Sequence, residues 1–134
     1  MPQTFAILRW DNLQITAPLP DANNVVIAMS GTAVLLNVNG QIATFPINSV
    51  ANITYIGSAG GRDLVTNQTN FVTLANFGTG GNNTYTASSN YNYVNFYGGD
   101  NTFNGTPGKV SDVFMNGGIG DVINKNGATV QVYP

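Results

Sequence analysis

The sequence predicts an all-β protein that folds as a parallel β-solenoid, of the β-roll or β-helix kind, with coils of about 18–20 residues. Two observations predict this fold. Short β-prone runs alternate with Gly and Asn along the chain of 134 residues, and one polar position recurs at a nearly constant spacing. Helix signals are weak, because Leu is sparse, Glu is absent and no stretch repeats apolar residues at intervals of three and four over two turns.

Short strands are predicted wherever β-branched, aromatic and other apolar residues collect between turn residues. These runs span residues 5–10, 13–17, 25–29, 33–38, 41–45, 52–56, 63–66, 71–75, 92–97, 112–115, 121–123 and 128–133. Many short strands at regular spacing are typical of an all-β protein, either a sandwich or barrel or a solenoid.

A repeated polar position favours the solenoid. At intervals of 18 to 20 residues, it is occupied by Asp63, Asn83, Asn101 and Asp121. Two places further on, every repeat has an apolar β-prone residue: Val65, Tyr85, Phe103 and Ile123. Strand alternation turns the residue between them to the opposite face, and these residues are Leu64, Thr84, Thr102 and Val122.

A second strand in each repeat is visible at residues 71–74, 93–96 and 113–115. Two short strands and two Gly/Asn turns in about 20 residues describe one coil, and like residues of successive coils then stack as ladders. A sandwich with accidental spacing is the alternative. The prediction is a single domain, with residues 1–24 as an N-terminal cap or donor-strand segment and residues 25–134 as the β-solenoid.

The composition excludes several classes of function. Charged residues make up 7% of the chain, against roughly 25% in an ordinary domain, and the net charge is −2. His and Cys are absent, which excludes Ser-His-Asp and Cys-His catalysis and zinc sites built from these residues. Four scattered cations cannot neutralise a run of phosphates, so we expect no nucleic-acid partner. No apolar run approaches the roughly 20 residues of a membrane span.

Catalysis by carboxylates is the remaining enzymatic alternative. All six acidic residues are Asp, and two of them could in principle form the pair that glycoside hydrolysis needs. Asp beside Gly in a turn is more often structural, so we expect a protein that is not an enzyme. Arg62 adjoins Asp63 in the sequence, and we interpret the two as a surface ion pair of little energetic worth.

The turns resemble those of a known family. Gly-Gly-Arg-Asp-Leu (60–64), Gly-Gly-Asn-Asn-Thr-Tyr (80–85) and Gly-Gly-Ile-Gly-Asp-Val-Ile (117–123) are similar to the glycine-aspartate repeats of RTX (hemolysin-type calcium-binding) proteins. Residues 36–57 resemble the strands that lead into such repeats in large bacterial surface proteins. The resemblance covers roughly residues 25–125, and it implies an extracellular or cell-surface location.

The resemblance also implies a ligand. In the family, Asp at the sixth place of each nine-residue motif binds Ca²⁺ together with backbone carbonyls. Asp63, Asp112 and Asp121 match that place, and Asp100 lies one residue away from it. These four residues are the candidate calcium ligands.

Asn in the repeated polar position argues against a required metal. Calcium affinity follows the number of anionic ligands, and no two neighbours in the series from Asp63 to Asp121 are both carboxylates. The chain contains 20 Asn, and stacked Asn side chains can bond to one another along a solenoid without an ion. We therefore expect no required cofactor, with a single vestigial Ca²⁺ site as the alternative.

These observations predict a non-catalytic extracellular structural protein that assembles end to end into a filament or surface layer. Solenoids expose unpaired strands at their ends unless charge, proline or a cap covers them. The C-terminal run 128–134 is uncharged, and the N-terminal run 4–10 is apolar enough to cap its own coil or pair with a neighbour. The candidate assembly interface consists of Phe5, Ile7, Trp10, Val130, Val132 and Tyr133.

Two other functions remain open. One is a calcium-binding RTX module of a secreted adhesin or enzyme. The other is binding of ice or glycans by a flat Thr/Asn face, although Leu64 and Val122 interrupt the column that contains Thr84 and Thr102.

Two further features of the sequence concern glycans, one as attached groups and one as ligands. The acceptor motif for N-glycosylation occurs at Asn52, Asn67, Asn82 and Asn104. The aromatic stretch 91–97 could stack on carbohydrate, but we expect its inward residues to fill the solenoid and its outward residues to cover a face or an interface.

Overall fold

The computed structural model describes residues 5–134, which form fourteen β-strands and one 3-10 turn, Ile47–Ser49. The strands are β1 (Ala6–Arg9), β2 (Asn12–Thr16), β3 (Asn24–Ser30), β4 (Ala33–Val38), β5 (Gln41–Pro46), β6 (Asn52–Ile56), β7 (Leu64–Asn67), β8 (Val72–Asn76), β9 (Thr84–Ala87), β10 (Tyr91–Tyr97), β11 (Thr102–Asn104), β12 (Val110–Asn116), β13 (Val122–Asn124) and β14 (Thr129–Tyr133).

The strands form two sheets of seven, and the chain alternates between them. Sheet 1 has the order β1-β2-β6-β8-β10-β12-β14, and sheet 2 has the order β13-β11-β9-β7-β3-β4-β5. From β6 onward, each coil gives one strand to each sheet, and all pairings between coils are parallel. The predicted fold class, a parallel β-solenoid, is confirmed.

The register follows the repeat read from the sequence. Val65 pairs with Tyr85, Tyr85 with Phe103, and Phe103 with Ile123. Strands β9 and β11 were absent from the β-prone runs, because each has a single large apolar residue between polar ones. Their inward aromatic residues are fully buried, and the polar residues on either side face outward.

The N-terminal end of the solenoid contains antiparallel strands. β1 pairs antiparallel with β2 of the same chain, and β4 and β5 extend sheet 2 beyond β3 as an antiparallel meander. Strand β2, which lies within the predicted N-terminal segment 1–24, pairs parallel with β6 and supplies the first coil. Residues 4–10 of the predicted N-terminal run are described only from residue 5 onward.

The core lies between the two sheets and is sealed in the middle coils. Alternation turns every second residue inward. Phe77, in the turn after β8, packs against Tyr55 and Phe96 of sheet 1 and against Tyr85 of sheet 2. Inward residues near the two ends are only partly covered. They include Ala6, Leu8, Ala43, Phe45, Met115, Ile123 and Ala128.

Candidate functional site: the polar turn column and the solenoid ends

The turns that connect sheet 1 to sheet 2 stack on one another as closely as the strands do. In successive coils, Arg62, Asn82 and Asp100 adopt positive φ values of 59°, 59° and 60°. The Arg62 amide donates to the Gly81 carbonyl at 3.0 Å, and the Asn82 amide donates to the Gly99 carbonyl at 2.8 Å. The repeated polar residue follows directly after each of these left-handed residues.

The repeated polar residues form a continuous hydrogen-bonded column through the turns. We name it the polar turn column, and its members are Asn23, Asp63, Asn83, Asn101 and Asp121. From Asp63 onward, the side-chain Oδ1 of each member accepts a hydrogen bond from the backbone N–H of the member before it. The donor–acceptor distance is 3.0 Å from Asn23 to Asp63, from Asp63 to Asn83 and from Asn83 to Asn101, and 2.8 Å from Asn101 to Asp121.

Side-chain amides add a second set of bonds to this column. The Nδ2 atom of Asn83 donates to Oδ1 of Asn101 at 3.0 Å, and Nδ2 of Asn101 donates to Oδ1 of Asp121 at 3.0 Å. The bonding expected for stacked Asn side chains is therefore confirmed. Asn23 was missed because it precedes Asp63 by forty residues, two coil lengths, and the meander of β4 and β5 interrupts the repeat.

Asp63 is the only member whose carboxylate is enclosed on all sides by donors. It is 1% exposed. Its Oδ1 accepts from the backbone N–H and the Nδ2 of Asn23 at 3.0 and 2.9 Å and from Oγ of Ser58 at 2.8 Å. Its Oδ2 accepts from the Tyr55 hydroxyl at 2.9 Å and from the Ser58 amide at 2.7 Å. Five hydrogen bonds thus stabilise a buried negative charge, as the cost of burying an ion demands.

Burial keeps the Tyr55 hydroxyl protonated and able to donate. Desolvation raises the pKa of Tyr55 far above its ordinary value, and the charge of Asp63 and the hydrogen bond to it raise that pKa further. A cation at Asp63 would have to displace these five donors. Both carboxylate oxygens of Asp63 are therefore engaged by donors from the protein itself.

The other candidate calcium ligands lie apart from Asp63 and have different surroundings. Asp100 is exposed at its turn, and Asp121 ends the column as the acceptor of Asn101. Asp112 is on the outer face of sheet 1, where the Tyr91 hydroxyl donates to it and this bond raises the pKa of Tyr91 to about 12. Among residues 5–134, no three His, Cys, Asp or Glu residues are grouped as a metal site would require.

Arg62 does not pair with Asp63, so the interpretation of these neighbours as an ion pair is wrong. Its guanidinium binds Asp21 on the preceding coil, and both side chains are exposed. The turn separates the two neighbours: Arg62, with its positive φ, is exposed to solvent, whereas the Asp63 side chain is buried inside the turn.

A second buried polar cluster lies on the opposite edge of the coils. The Tyr85 hydroxyl donates to Oδ1 of Asn92 at 2.6 Å and accepts from Nδ2 of Asn67 at 3.1 Å. Asn67 also donates to Oγ1 of Thr73 at 2.8 Å. Burial raises the pKa of Tyr85 above its ordinary value. Sequence reasoning missed this cluster, because its residues come from different coils without a shared motif.

The glycosylation motifs fall in two environments. Asn67 is buried, with its amide nitrogen in the cluster just described, so a glycan there would displace two hydrogen bonds. Asn82 is exposed at a turn, and Asn52 and Asn104 are half-buried on outer faces. The three outward-facing residues remain candidate acceptors.

The candidate assembly residues also differ in exposure. Phe5 and Val130 are buried within their own chain, whereas Trp10 is 98% exposed at the turn between β1 and β2. Ile7 faces outward on β1 at one end of sheet 1. Val132 and Tyr133 lie on β14 at the other end, and Val132 is 38% exposed although it continues an inward-facing row.

An aromatic ladder crosses the outer face of sheet 1 towards the C-terminal end. Tyr93 and Phe114 have ring centroids 4.5 Å apart, and Phe114 and Tyr133 are stacked at 4.5 Å with an angle of 9° between their planes. This spacing is close to that of neighbouring strands, about 4.7–4.9 Å. Phe114 is therefore covered by rings on both sides, and Tyr133 has one face covered by Phe114.

The outer face of sheet 2 has no charged side chain on β7, β9, β11 and β13, and the exposed apolar residues Leu64 and Val122 end its first column. Its two columns contain Thr84 and Thr102 in one and Thr66, Thr86, Asn104 and Asn124 in the other. The amide of Asn104 donates to Thr86 at 3.3 Å, and the amide of Asn124 donates to Asn104 at 2.8 Å. The second column was not foreseen. Because its amides bond to one another, its hydrogen-bonding groups are partly engaged within the protein.

Comparisons with protein-family models, with curated proteins and with solved structures found no match for this chain. Within residues 5–134, no helix has the length and apolar character that crossing a membrane requires.

Proposed function

We propose that this protein is a non-catalytic structural subunit that polymerises head to tail through the two ends of its solenoid. The observation that carries the proposal is the relative offset of the two sheets. Both contain seven strands, but they are displaced from one another by one strand along the stacking direction.

The offset is measured from the coil that contains β2 and β3. In sheet 1, one strand (β1) lies before β2 and five lie after it, ending in β14. In sheet 2, two strands (β4 and β5) lie before β3 and four lie after it, ending in β13. Sheet 1 therefore overhangs at the C-terminal end, and sheet 2 overhangs at the N-terminal end.

The two overhangs are complementary between copies. A second copy stacked on the first would place its β1 beside β14 and its β5 beside β13 at the same time. The overhanging β14 would then cover the inner face of β5, which has no strand of sheet 1 opposite it in its own chain. One translation thus pairs both edges, and a head-to-tail contact of this kind is open-ended unless a rotation closes it into a ring.

The side chains of the overhangs fit this contact. The inner face of β5 carries Ala43 and Phe45, both only partly buried, and the inner face of β14 carries Val130 and Val132. Burial of apolar surface at about 25 cal/mol per Å² would stabilise the junction. The net charge of −2 gives little repulsion between copies. The RTX resemblance supports a cell-surface or extracellular setting for such a polymer.

Val132→Lys is expected to prevent polymerisation and to leave the fold intact. The substitution places an unpaired charge in the proposed junction, where its burial would raise the critical concentration for assembly at least about tenfold. Sedimentation and negative-stain electron microscopy measure the result. Val72→Lys is the matched control, because Val72 is half-exposed on the outer face of a central strand. Equal polymerisation of the two variants would contradict the proposed junction.

Calcium-dependent folding is the second candidate, favoured only by the match of Asp63, Asp112 and Asp121 to the RTX motif. We expect a chelator to leave the melting temperature and the β signal in circular dichroism unchanged, because five protein donors already surround Asp63. A melting temperature that falls on chelation and recovers with added Ca²⁺ would support the RTX module instead.

A further inference from the structure

We propose that the junction of the polymer has a defined register, in which β14 pairs antiparallel with β1 of the next copy and Val132 lies opposite Ala6. This inference rests on the proposed head-to-tail polymer and specifies its contact. It follows from how the rows of side chains cross sheet 1 from one end to the other.

One inward-facing row runs through the whole of sheet 1. Paired positions connect Ala6 in β1 to the last strand through Ile15, Tyr55, Ala75, Val94, Val113 and Val132. Ala6 and Val132 are thus the two ends of a single row. A copy added along the same direction, without lateral displacement, brings its Ala6 opposite Val132.

The rest of the register follows from the strand directions. β14 is parallel to β12 and so to β2, whereas β1 is antiparallel to β2, so the new pair is antiparallel. Leu8 then lies opposite Val130, and Ile7 lies opposite Gln131. In this register, inward residues lie opposite inward residues and outward residues lie opposite outward ones. A slip of one residue would instead place inward residues opposite outward ones.

The aromatic ladder also leads to the junction along a row of sheet 1. Tyr133 belongs to the row that contains Thr16, and the Thr16 amide donates to the carbonyl of Phe5 at 2.8 Å. Phe5 of the next copy would therefore lie beside Tyr133. Since Phe114 covers one face of the Tyr133 ring in a parallel stack, the opposite face is directed along the stacking direction towards the next copy.

Disulfide cross-linking tests this register, and the native chain contains no Cys to interfere. We expect the double variant Ile7→Cys, Gln131→Cys to form a ladder of covalent oligomers under mild oxidation, because directly opposed residues of an antiparallel pair are within disulfide reach. The reduced variant should keep the native fold, since both side chains face outward in their own sheet, and it is oxidised above its own critical concentration for assembly.

Two controls distinguish this register from others. Ile7→Cys with Thr129→Cys reports a slip of two residues. Gln14→Cys with Gln131→Cys places one thiol a further strand away, because Gln14 is the neighbour of Ile7 on β2. We expect at least about tenfold less covalent oligomer from either control.

The outcomes separate the register from the polymer. Native polymers with preferential cross-linking of a control pair, or of none, would overturn the register and leave head-to-tail assembly standing. A native protein that stays monomeric would overturn both the register and the proposed function.

Discussion

Asp63→Asn is expected to lower the free energy of unfolding by about 2–4 kcal/mol, although Asn occupies most other places in the polar turn column. Each carboxylate oxygen of Asp63 accepts at least two hydrogen bonds, and no donor group fits at either position. An amide nitrogen there faces other donors and leaves a buried N–H or O–H without a partner. Relief of the buried charge offsets only part of this loss.

The same substitution at the end of the column provides the control. Asp121 accepts the N–H groups of Asn101 through its Oδ1 atom and is only half-buried, so an Asn carbonyl can replace it. We expect Asp121→Asn to change stability by less than about 1 kcal/mol. Chemical denaturation measures both variants. Equal effects would contradict the distinct environment assigned to Asp63.

Gly80→Ala is expected to destabilise the protein by about 3 kcal/mol or more, a large part of the stability of a domain of this size. A Cβ atom at residue 80 would lie 2.2 Å from the carbonyl carbon of Gly60 and 2.7 Å from the amide nitrogen of Gly61. Both are backbone atoms of the preceding turn, so no side-chain rotation relieves the overlap. The stacked turns would have to separate.

Gly31→Ala is the control for the cost of replacing a glycine. Gly31 has a positive φ of 60°, but nothing lies within 4 Å of its Cβ position. Only the strain of a left-handed Ala is then added, about 1 kcal/mol. Thermal and urea unfolding compare the two variants. A cost for Gly80→Ala no greater than that for Gly31→Ala would mean that the turns do not stack this closely.

The coil repeat could be predicted because it depends on local alternation. Asp63 and Val65 lie two residues apart, and the same pair of residue types recurs at Asp121 and Ile123, so period and facing direction follow from the sequence. The offset of the two sheets could not be predicted in this way. It depends on β4 and β5 pairing antiparallel beyond β3, and a run of β-prone residues does not specify its partner or its direction.

The environment of Asp63 shows a similar limit. The sequence correctly places it in a turn and in a polar series. Its donors Tyr55 and Ser58 precede it by eight and five residues, and Asn23 precedes it by forty. Only the closure of the coil brings these donors to Asp63. The Gly-Gly-Arg-Asp-Leu motif alone therefore resembles a calcium-binding turn, whereas in the folded protein hydrogen bonds hold the Asp63 carboxylate.

The polar turn column and the ends of the solenoid share a scarcity of charged side chains. In the column, side-chain amides bond from coil to coil, and at the ends the strands β1 and β14 carry apolar inward residues. β1 ends in a single cation, Arg9, and β14 has no charged side chain. Natural edge strands commonly use charge to prevent pairing with other chains. Its scarcity here is consistent with ends that pair with a second copy.

Fibre diffraction from the concentrated native protein tests head-to-tail assembly most directly. Seven strand spacings of about 4.8 Å give an axial repeat of about 34 Å per subunit. We expect a meridional reflection near 4.8 Å from strands perpendicular to the axis, together with the repeat of about 34 Å. A protein that sediments as a monomer at millimolar concentration and gives no filaments would contradict the account.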